Sequence, residues 1–224
     1  MTLLILRPEP GASETAARAR AMGLKPVVAP LFAITAVTGP AVEAARFDAV
    51  LLTSANGARH APAGLERLPC FAVGEGTAGA ARAAGFGDVR TGPRDGAAAA
   101  AMMTAAGVRR ALHLCGRDHL AVEAQGVEIE RRIVYSAEPL PRPRFEGPAV
   151  AMIHSARAGA RFAELAGDRS GIAIAAISEP AAAAAGEGWA AKAVAEAPRD
   201  QALLELAAKL CNHDPDVVRD GNGL

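Results

Sequence analysis

The stretch FAVGEGTAGAARAAGFGDV, residues 71–89, contains an apolar run, a glycine turn, an alanine-rich segment, a glycine and a second apolar run. Short apolar runs bounded by turn residues are typical of buried strands, and the alanine-rich segment has the composition of an amphipathic helix. The stretch therefore predicts a strand–helix–strand unit. Similar units recur along the chain, so we predict an α/β protein built on parallel sheets.

The glycines of this stretch have the spacing Gly74-x-Gly76-x-x-Gly79, which is also the spacing of a dinucleotide-binding turn. Such a turn needs an acidic residue about 20 residues later, at the end of the next strand, to bind the ribose. Here that strand ends in a glycine and a proline, and the first carboxylate is Asp95. We therefore predict no cofactor site: the glycines form a tight turn and Thr77 begins the helix. A nicotinamide oxidoreductase stays open as a candidate function, and it rests on these glycines alone.

The chain also contains an internal repeat. AVLLTSANGA (49–58) resembles VAMIHSARAG (150–159), with Ser54 matching Ser155. The glycine-rich stretch likewise resembles AAISEPAAAAAGEGWAAKAV (175–194). The repeat predicts two similar α/β halves.

Two stretches, AITAVTGP (33–40) and SAEPLPRPRFEGP (136–148), interrupt the strand–helix alternation and have the composition of linkers. We expect one domain to be inserted into the other, with a cleft between the two flavodoxin-like domains. The predicted division is domain 1 at 1–33 plus 145–212, a two-stranded connector at 34–40 and 137–144, domain 2 at 41–136, and a flexible tail at 213–224.

Composition limits the partners that we expect. The 24 basic residues balance the 24 acidic ones, so no net field attracts nucleic acid or an anionic membrane. Aromatic residues that could stack on bases are few, and no apolar run approaches the roughly 20 residues of a membrane span. The three cysteines lie far apart with no CxxC spacing, which favours a reducing compartment. We expect a cytoplasmic monomer with no nucleic-acid or membrane partner.

Hydroxyl and arginine side chains recur just after the predicted strands. Open α/β sheets bind ligands at the carboxyl ends of their strands, where helix N-termini add backbone N–H donors. The pattern predicts a site for a ligand with several carboxylates, although each residue taken alone is better explained as a helix cap or a solvated charge. The residues concerned are Arg7, Thr53, Ser54, Arg59, Thr77, Arg117, Ser155 and Arg157.

Two other groupings contain residue types that are common in active sites. HLCGRDH (113–119) offers histidine and cysteine, but no fourth ligand is placed to complete a tetrahedral metal site, so we expect no metal. Ser54, His60 and Asp48 have the residue types of a hydrolase triad, but the serine lacks a GxSxG elbow. We attribute that grouping to chance.

Taken together, these features resemble the uroporphyrinogen-III synthase family over nearly the whole chain. The resemblance implies two α/β domains joined by a two-stranded connector, with no cofactor and no metal. It implies cyclisation of the linear hydroxymethylbilane to uroporphyrinogen III, with loss of water and inversion of ring D, in haem biosynthesis. The matching motifs are the strand ending in Arg7-Pro8, LLTSANGA, VGEGTAGAARAAGF, the LCGRD loop, the strand ending in VY at Tyr135, IHSARAG and ISEPAAAAAGEGW.

The resemblance also implies site residues. Tyr135 matches the cleft tyrosine of the family and would assist departure of the hydroxyl, although by itself it is equally consistent with a half-buried packing residue. The family commonly has a threonine after the turn of the last repeat, where this chain has Pro180-Ala181, so that contact is absent or moves to Ser178. The implied substrate-binding residues are Arg7, Ser54, Gly74, Thr77, Gly116, Arg117, Ser155 and Ser178.

One alternative function, besides the nicotinamide oxidoreductase, and one possible partner stay open at this stage. A non-catalytic two-domain protein that binds a polycarboxylate or tetrapyrrole would show the same motifs. Transient contact with hydroxymethylbilane synthase, which supplies the bilane, is compatible with the resemblance.

Overall fold

The computed structural model describes residues 1–92, 96–119, 121–141 and 143–212. The chain forms two compact units, which we call unit 1 (Met1–Ala33 with the described residues from Pro139 onward) and unit 2 (Ile34–Glu138). The tail predicted at 213–224 lies outside the described residues. The α/β class with parallel sheets is confirmed.

Unit 1 contains a parallel sheet with helices packed on it. Its described helices are α1 (Gly11–Ala21), α5 (Ala156–Leu165), α6 (Glu179–Ala185) and α7 (Asp200–Cys211). Its described strands are β1 (Thr2–Ile5), β2 (Pro26–Val28), β9 (Ala149–Ile153), β10 (Ile172–Ala176) and β11 (Ala191–Val194). Their order is β11-β10-β9-β1-β2, and each neighbouring pair is parallel.

Unit 2 contains a second sheet. Its α-helices among the described residues are α2 (Ala55–Arg59), α3 (Gly74–Ala83) and α4 (Gly96–Ala105). The strands of this sheet are β3 (Phe32–Ala36), β4 (Ala49–Leu52), β5 (Cys70–Val73), β6 (Val89–Gly92), β7 (Arg110–Gly116) and β8 (Glu128–Pro139). Their order is β3-β8-β7-β4-β5-β6, and the pairs β8–β7, β7–β4, β4–β5 and β5–β6 are parallel.

The central strands are apolar without alternation because both faces of each sheet are covered. Every residue of β4, β9 and β10 is buried. Parallel sheets flanked by helices on both faces have this pattern. It explains why short continuous apolar runs identified the strands in the sequence.

The two stretches of linker composition contain strand as well as coil. β3 begins at Phe32, and β8 continues as far as Pro139. The two strands are neighbours in the sheet, and beyond the end of β3 the Val37 N–H donates to the Val134 carbonyl at 2.9 Å. Backbone hydrogen bonding thus extends regular structure into segments whose composition predicted linkers.

Candidate functional site

The carboxyl ends of the parallel strands of unit 2 bring several predicted site residues to one edge of its sheet. β4, β5 and β7 are adjacent and parallel, so the residues that follow them lie along the same edge. We call this edge the unit 2 edge. Its predicted site residues are Ser54 after β4, Gly74 after β5, Gly116 and Arg117 at the end of β7, and Tyr135 on β8.

One prediction about this edge is wrong. Helix α3 begins at Gly74 rather than at Thr77. Gly74 has φ = 74°, a conformation that glycine adopts without strain, so the turn and the helix start coincide. Thr77 consequently lies inside the helix and is only 7% exposed.

Tyr135 lies beside Gly116 because of an irregularity in the β7–β8 pairing. Cys115 is opposite Ile133, but the next pair is Gly116 with Tyr135, so Val134 is skipped. Val134 and Tyr135 both pack against the same hydrophobic cluster. Consecutive residues of a regular strand point to opposite faces, so this shared face is typical of a β-bulge.

The surroundings of Tyr135 leave its hydroxyl available. The ring is partly buried, and the His60 ring lies 6.2 Å away between centroids. The Tyr135 backbone carbonyl accepts a hydrogen bond from the Arg117 N–H at 3.0 Å. Among the described residues the Tyr135 hydroxyl has no hydrogen-bond partner, so it is free to donate to a ligand.

The hydroxyls of Thr53 and Ser54 follow β4 at the same edge. Ser54 is the N-cap of α2, and its Oγ accepts a hydrogen bond from the Asn56 N–H at 3.1 Å. An oxygen that accepts in a cap still has its own proton to donate. Thr53 Oγ1 lies 2.9 Å from Nε2 of His113.

His113 is a neutral, fully buried histidine. Burial lowers its pKa to about 4, with smaller contributions from His119 and Arg131. Nδ1 of His113 has no hydrogen-bond partner among the described residues, so we assign the proton to Nε2, where it bonds to Thr53. The Thr53 hydroxyl proton is then left to donate elsewhere. His119 uses its own Nδ1 to donate to the Gly116 carbonyl at 2.9 Å.

The predicted site residues of unit 1 have a different environment. Arg7 follows β1, and its Nη1 forms an ion pair with Asp200 Oδ1 at 2.9 Å. Asp200 is the first residue of α7, and it also contacts Arg18, Thr15 and His154. Four partners therefore converge on one carboxylate, which we call the Asp200 cluster.

Sequence reasoning missed the Asp200 cluster apart from Arg7. Asp200 lies 193 residues from Arg7 along the chain. The available signal was weak: an acidic residue in the first turn of a helix and an arginine directly after a strand. Neither feature identifies the other as its partner.

The Asp200 cluster holds its carboxylate ionised. Burial raises the pKa of Asp200, but the interaction with His154, the charge of Arg7 and the hydrogen bond from Arg18 outweigh that effect and lower the pKa. Burial lowers the pKa of His154, although its hydrogen bond to Asp200 at 2.6 Å acts in the opposite direction. Asp200 thus compensates part of the Arg7 charge, since the same carboxylate also faces Arg18.

The two predicted serines of unit 1 both precede helices but differ in their bonding. Ser155 is the N-cap of α5, and its Oγ accepts from the Ala158 N–H at 3.2 Å. Ser178 occupies the N-cap position of α6 without a side-chain cap hydrogen bond. Its hydroxyl is therefore not used in capping.

The remaining loop arginines also differ in the contacts that they make. Arg157 stacks on the Phe32 ring, with Cζ 4.3 Å from the centroid, and Arg59 donates to Asn56 at 3.1 Å. Arg117 is exposed and has no ion-pair partner within the described parts of the chain. Arg117 is thus the better placed of these cations to bind an added carboxylate.

The triad and metal groupings are not assembled. Asp48 precedes β4 and accepts hydrogen bonds from the Arg109 and Arg110 N–H groups at 2.9 Å, whereas Ser54 follows the same strand. The two side chains therefore lie at opposite ends of β4. Over the residues that the structure describes, no three His, Cys, Asp or Glu side chains are grouped to hold a metal, and no helix could span a membrane.

Comparison with known proteins gives a family and a fold. The family model described as Uroporphyrinogen-III synthase HemD matches residues 13–205. A solved uroporphyrinogen-III synthetase from Helicobacter pylori 26695 is 14% identical with a TM-score of 0.64, covering 93% of this chain and 98% of that one. A mutant uroporphyrinogen III synthase from the extremely thermophilic bacterium Thermus thermophilus is 16% identical with a TM-score of 0.54, covering 95% and 99%. No curated protein sequence matches the chain, and at these identities the structural likeness shows the fold alone.

Proposed function

The chain belongs to the uroporphyrinogen-III synthase family, and we propose that it cyclises hydroxymethylbilane to uroporphyrinogen III. In this reaction the bilane loses its terminal hydroxyl as water, which leaves an electrophilic azafulvene on ring A. The substituted carbon of ring D attacks that centre, and the resulting spiro pyrrolenine fragments and recloses at the free carbon. The product carries ring D inverted.

The observation that carries the proposal is the Tyr135 hydroxyl. It lies at the carboxyl edge of a parallel sheet, where open α/β folds bind ligands, and it has no partner among the described residues. A phenol is a neutral donor at pH 7, so it can hydrogen-bond the departing hydroxyl without first acquiring a proton. We assign Tyr135 this role.

The enzyme's main task is to select one ring closure. Without catalysis the bilane closes to the uninverted isomer I, so the protein has to hold ring D in the geometry of the spiro attack. The reaction loses water and rearranges carbon–carbon bonds without net oxidation. It therefore requires no redox cofactor, and we propose a cofactor-independent lyase.

The acetate and propionate groups of the bilane need hydrogen-bond donors and cations. At the unit 2 edge we propose the Arg117 guanidinium, the Ser54 hydroxyl and the backbone at Gly74. At the edge of unit 1 we propose Ser155 and Ser178. Thr77 is unsuited to this role because it is buried within α3.

Arg7 is a weaker candidate than the sequence suggested. Its guanidinium already pairs with Asp200, so a substrate carboxylate would share a charge that is partly compensated. We expect Arg7 to contribute less to bilane binding than Arg117.

A coupled assay tests the proposed function. Porphobilinogen and hydroxymethylbilane synthase generate the bilane in place, this protein is added, and the products are oxidised and separated as uroporphyrin isomers I and III. We expect isomer III to replace the isomer I that forms when the protein is omitted. Isomer I alone, from protein shown to be folded by circular dichroism, would overturn the proposal and favour the non-catalytic binding protein.

A further inference from the structure

We propose that Gly116 is a positioning residue for Tyr135: the missing side chain of Gly116 forms the slot that holds the tyrosine ring at the unit 2 edge. This inference rests on the proposed function, because that function assigns the Tyr135 hydroxyl to catalysis. It replaces the substrate-binding role that the family resemblance implied for Gly116.

The steric observation is specific to the far end of the tyrosine. A β-carbon added to Gly116 would lie 2.6 Å from Cζ, 2.7 Å from Cε2 and 2.9 Å from Oη of Tyr135. Non-bonded carbon atoms pack best at about 3.5–4.0 Å. No residue other than glycine therefore fits at position 116 while the ring keeps its place.

The backbone around the contact is held, so the ring would have to move. Gly116 pairs with Tyr135 in the β7–β8 ladder, and the adjacent Arg117 N–H bonds to the Tyr135 carbonyl. The Gly116 carbonyl is fixed from the other side by His119. By contrast, the phenol end of Tyr135 can be displaced by rotation about χ1 and χ2 without moving the backbone.

The displacement required is about 1 Å, the difference between 2.6 Å and an ordinary carbon contact. Misplacement of a catalytic group by about 1 Å can cost about 100-fold in rate. A single methyl group at position 116 should therefore reduce catalysis through Tyr135.

A direct role of Gly116 in substrate binding is less consistent with these contacts. Its carbonyl is already hydrogen-bonded, and a carbonyl oxygen repels a carboxylate rather than binding it. Gly116 has no side chain to offer. What it supplies is space, and the Tyr135 ring fills that space.

The bulge explains why the slot and the ring meet. If the register of Cys115 with Ile133 continued unchanged, Gly116 would face Val134. Skipping Val134 places Tyr135 opposite Gly116 on the face that carries α2. The position of Tyr135 thus depends on both the bulge and the glycine.

The test is a double-mutant cycle with Gly116→Ala, Tyr135→Phe and the double variant, read as the rate of isomer III formation. We expect Gly116→Ala to lower kcat about 100-fold with little change in KM, because ring position and not bilane binding is altered. Placed on Tyr135→Phe, the same change should have less than a twofold effect. Additive losses, or full activity of Gly116→Ala, would overturn the inference.

Gly79→Ala is the matched control. Gly79 is exposed in α3, and a β-carbon there meets nothing within 4 Å. We expect this variant to keep wild-type kcat and KM. Circular dichroism and denaturation of all variants separate ring displacement from loss of the fold.

A spectroscopic readout keeps the inference testable if the proposed function fails. Tyr135 is the only tyrosine in the chain, so the ring NMR resonances of tyrosine-labelled protein report this side chain alone. We expect Gly116→Ala to shift these resonances because the ring is displaced, whereas Gly79→Ala should leave them in place. Unchanged resonances in Gly116→Ala would show that the ring stays in place, and they would overturn the inference even in a protein that makes no isomer III.

Discussion

The carboxyl edges of the two sheets have similar strand-to-helix turns but differ in the side chains beside them. Each places a serine two residues after the end of a central strand, Ser54 in unit 2 and Ser155 in unit 1, and each serine caps the following helix. The preceding residue differs: Thr53 bonds to a buried neutral histidine, whereas His154 bonds to Asp200. The repeat has thus preserved the turn while the residue beside it has diverged.

This difference suggests a division of roles. In the Asp200 cluster the carboxylate holds both Arg7 and Arg18, so these arginines stabilise unit 1 and are less available to a ligand. The unit 2 edge carries a phenol that has no hydrogen-bond partner among the described residues, and hydroxyls with protons to donate. We therefore expect changes at the unit 2 edge to affect turnover and changes in the Asp200 cluster to affect stability.

The largest expected effect is on turnover. Tyr135→Phe removes the donor to the leaving hydroxyl and should lower the rate of isomer III formation about 1000-fold with little loss of stability. The coupled assay measures the rate, and urea denaturation measures the stability. Asp200→Asn is the contrasting variant, and we expect it to keep the rate within a few-fold. If Asp200→Asn lowered the rate as strongly as Tyr135→Phe, the division of roles would be wrong.

The next effect is the dependence of stability on pH. The unfolded chain protonates His113 near its ordinary pKa of 6.5, whereas the folded protein resists protonation until about pH 4. Stability should therefore fall as the pH drops from 6.5 to 4, with roughly 3 kcal/mol attributable to His113. Urea denaturation at stepped pH values measures this slope.

His113→Leu should reduce the slope, and His154, whose pKa burial also lowers, contributes to the part that remains. Gly79→Ala, which changes no titratable group and meets no atom within 4 Å, is the control and should leave the slope unchanged. A slope that survives in His113→Leu at full size would contradict the assignment of His113 as neutral.

A smaller effect concerns the Asp200 cluster. Asp200→Asn removes the charge that Arg7 and Arg18 face, and it should cost about 2 kcal/mol at pH 7, allowing for the partial exposure of both arginines. Because the pKa of Asp200 is lowered in the folded protein, this contribution is present above about pH 4 and is lost as the pH falls further. The difference between the variant and the parent should accordingly shrink in acid. A difference that stayed constant to pH 2 would argue against an ionic origin.

The smallest effects compare the three serines. Ser54→Ala and Ser155→Ala each remove a helix cap and should cost about 1 kcal/mol. Ser178→Ala removes a hydroxyl that makes no cap bond, so its free energy of unfolding should change by only a few tenths of a kcal/mol. Equal losses at all three positions would show that capping does not distinguish them.

The halves also differ in how their small residues are used. A β-carbon on Gly57 of α2 would lie 2.6 Å from the Leu114 carbonyl oxygen in β7. A β-carbon on Gly159 of α5 would lie 2.6 Å from the Ala181 carbonyl oxygen in α6. Gly57 comes three residues after Ser54, whereas Gly159 comes four residues after Ser155. This difference of one residue corresponds to about 100° around the helix. One helix thus packs closely on its sheet and the other packs closely on its neighbouring helix.

Several features of this protein were readable from local sequence. Apolar runs separated by alanine-rich segments predicted the parallel α/β architecture, and the repeat predicted two similar halves. Serines placed directly before helical segments indicated the caps at Ser54 and Ser155. These signals are local because hydrophobic periodicity and capping depend on residues a few positions apart.

Other features depend on contacts that local sequence does not encode. Thr77 lies within α3 because the backbone at Gly74 starts the helix earlier, and the segments of linker composition form strands because they pair with each other. Asp200 and Arg7 meet across nearly the whole chain length, and Tyr135 reaches Gly116 only through a bulge in strand pairing. Strand register and long-range ion pairs arise from packing between distant segments, which is why the residue types at the site could be predicted while their partners could not.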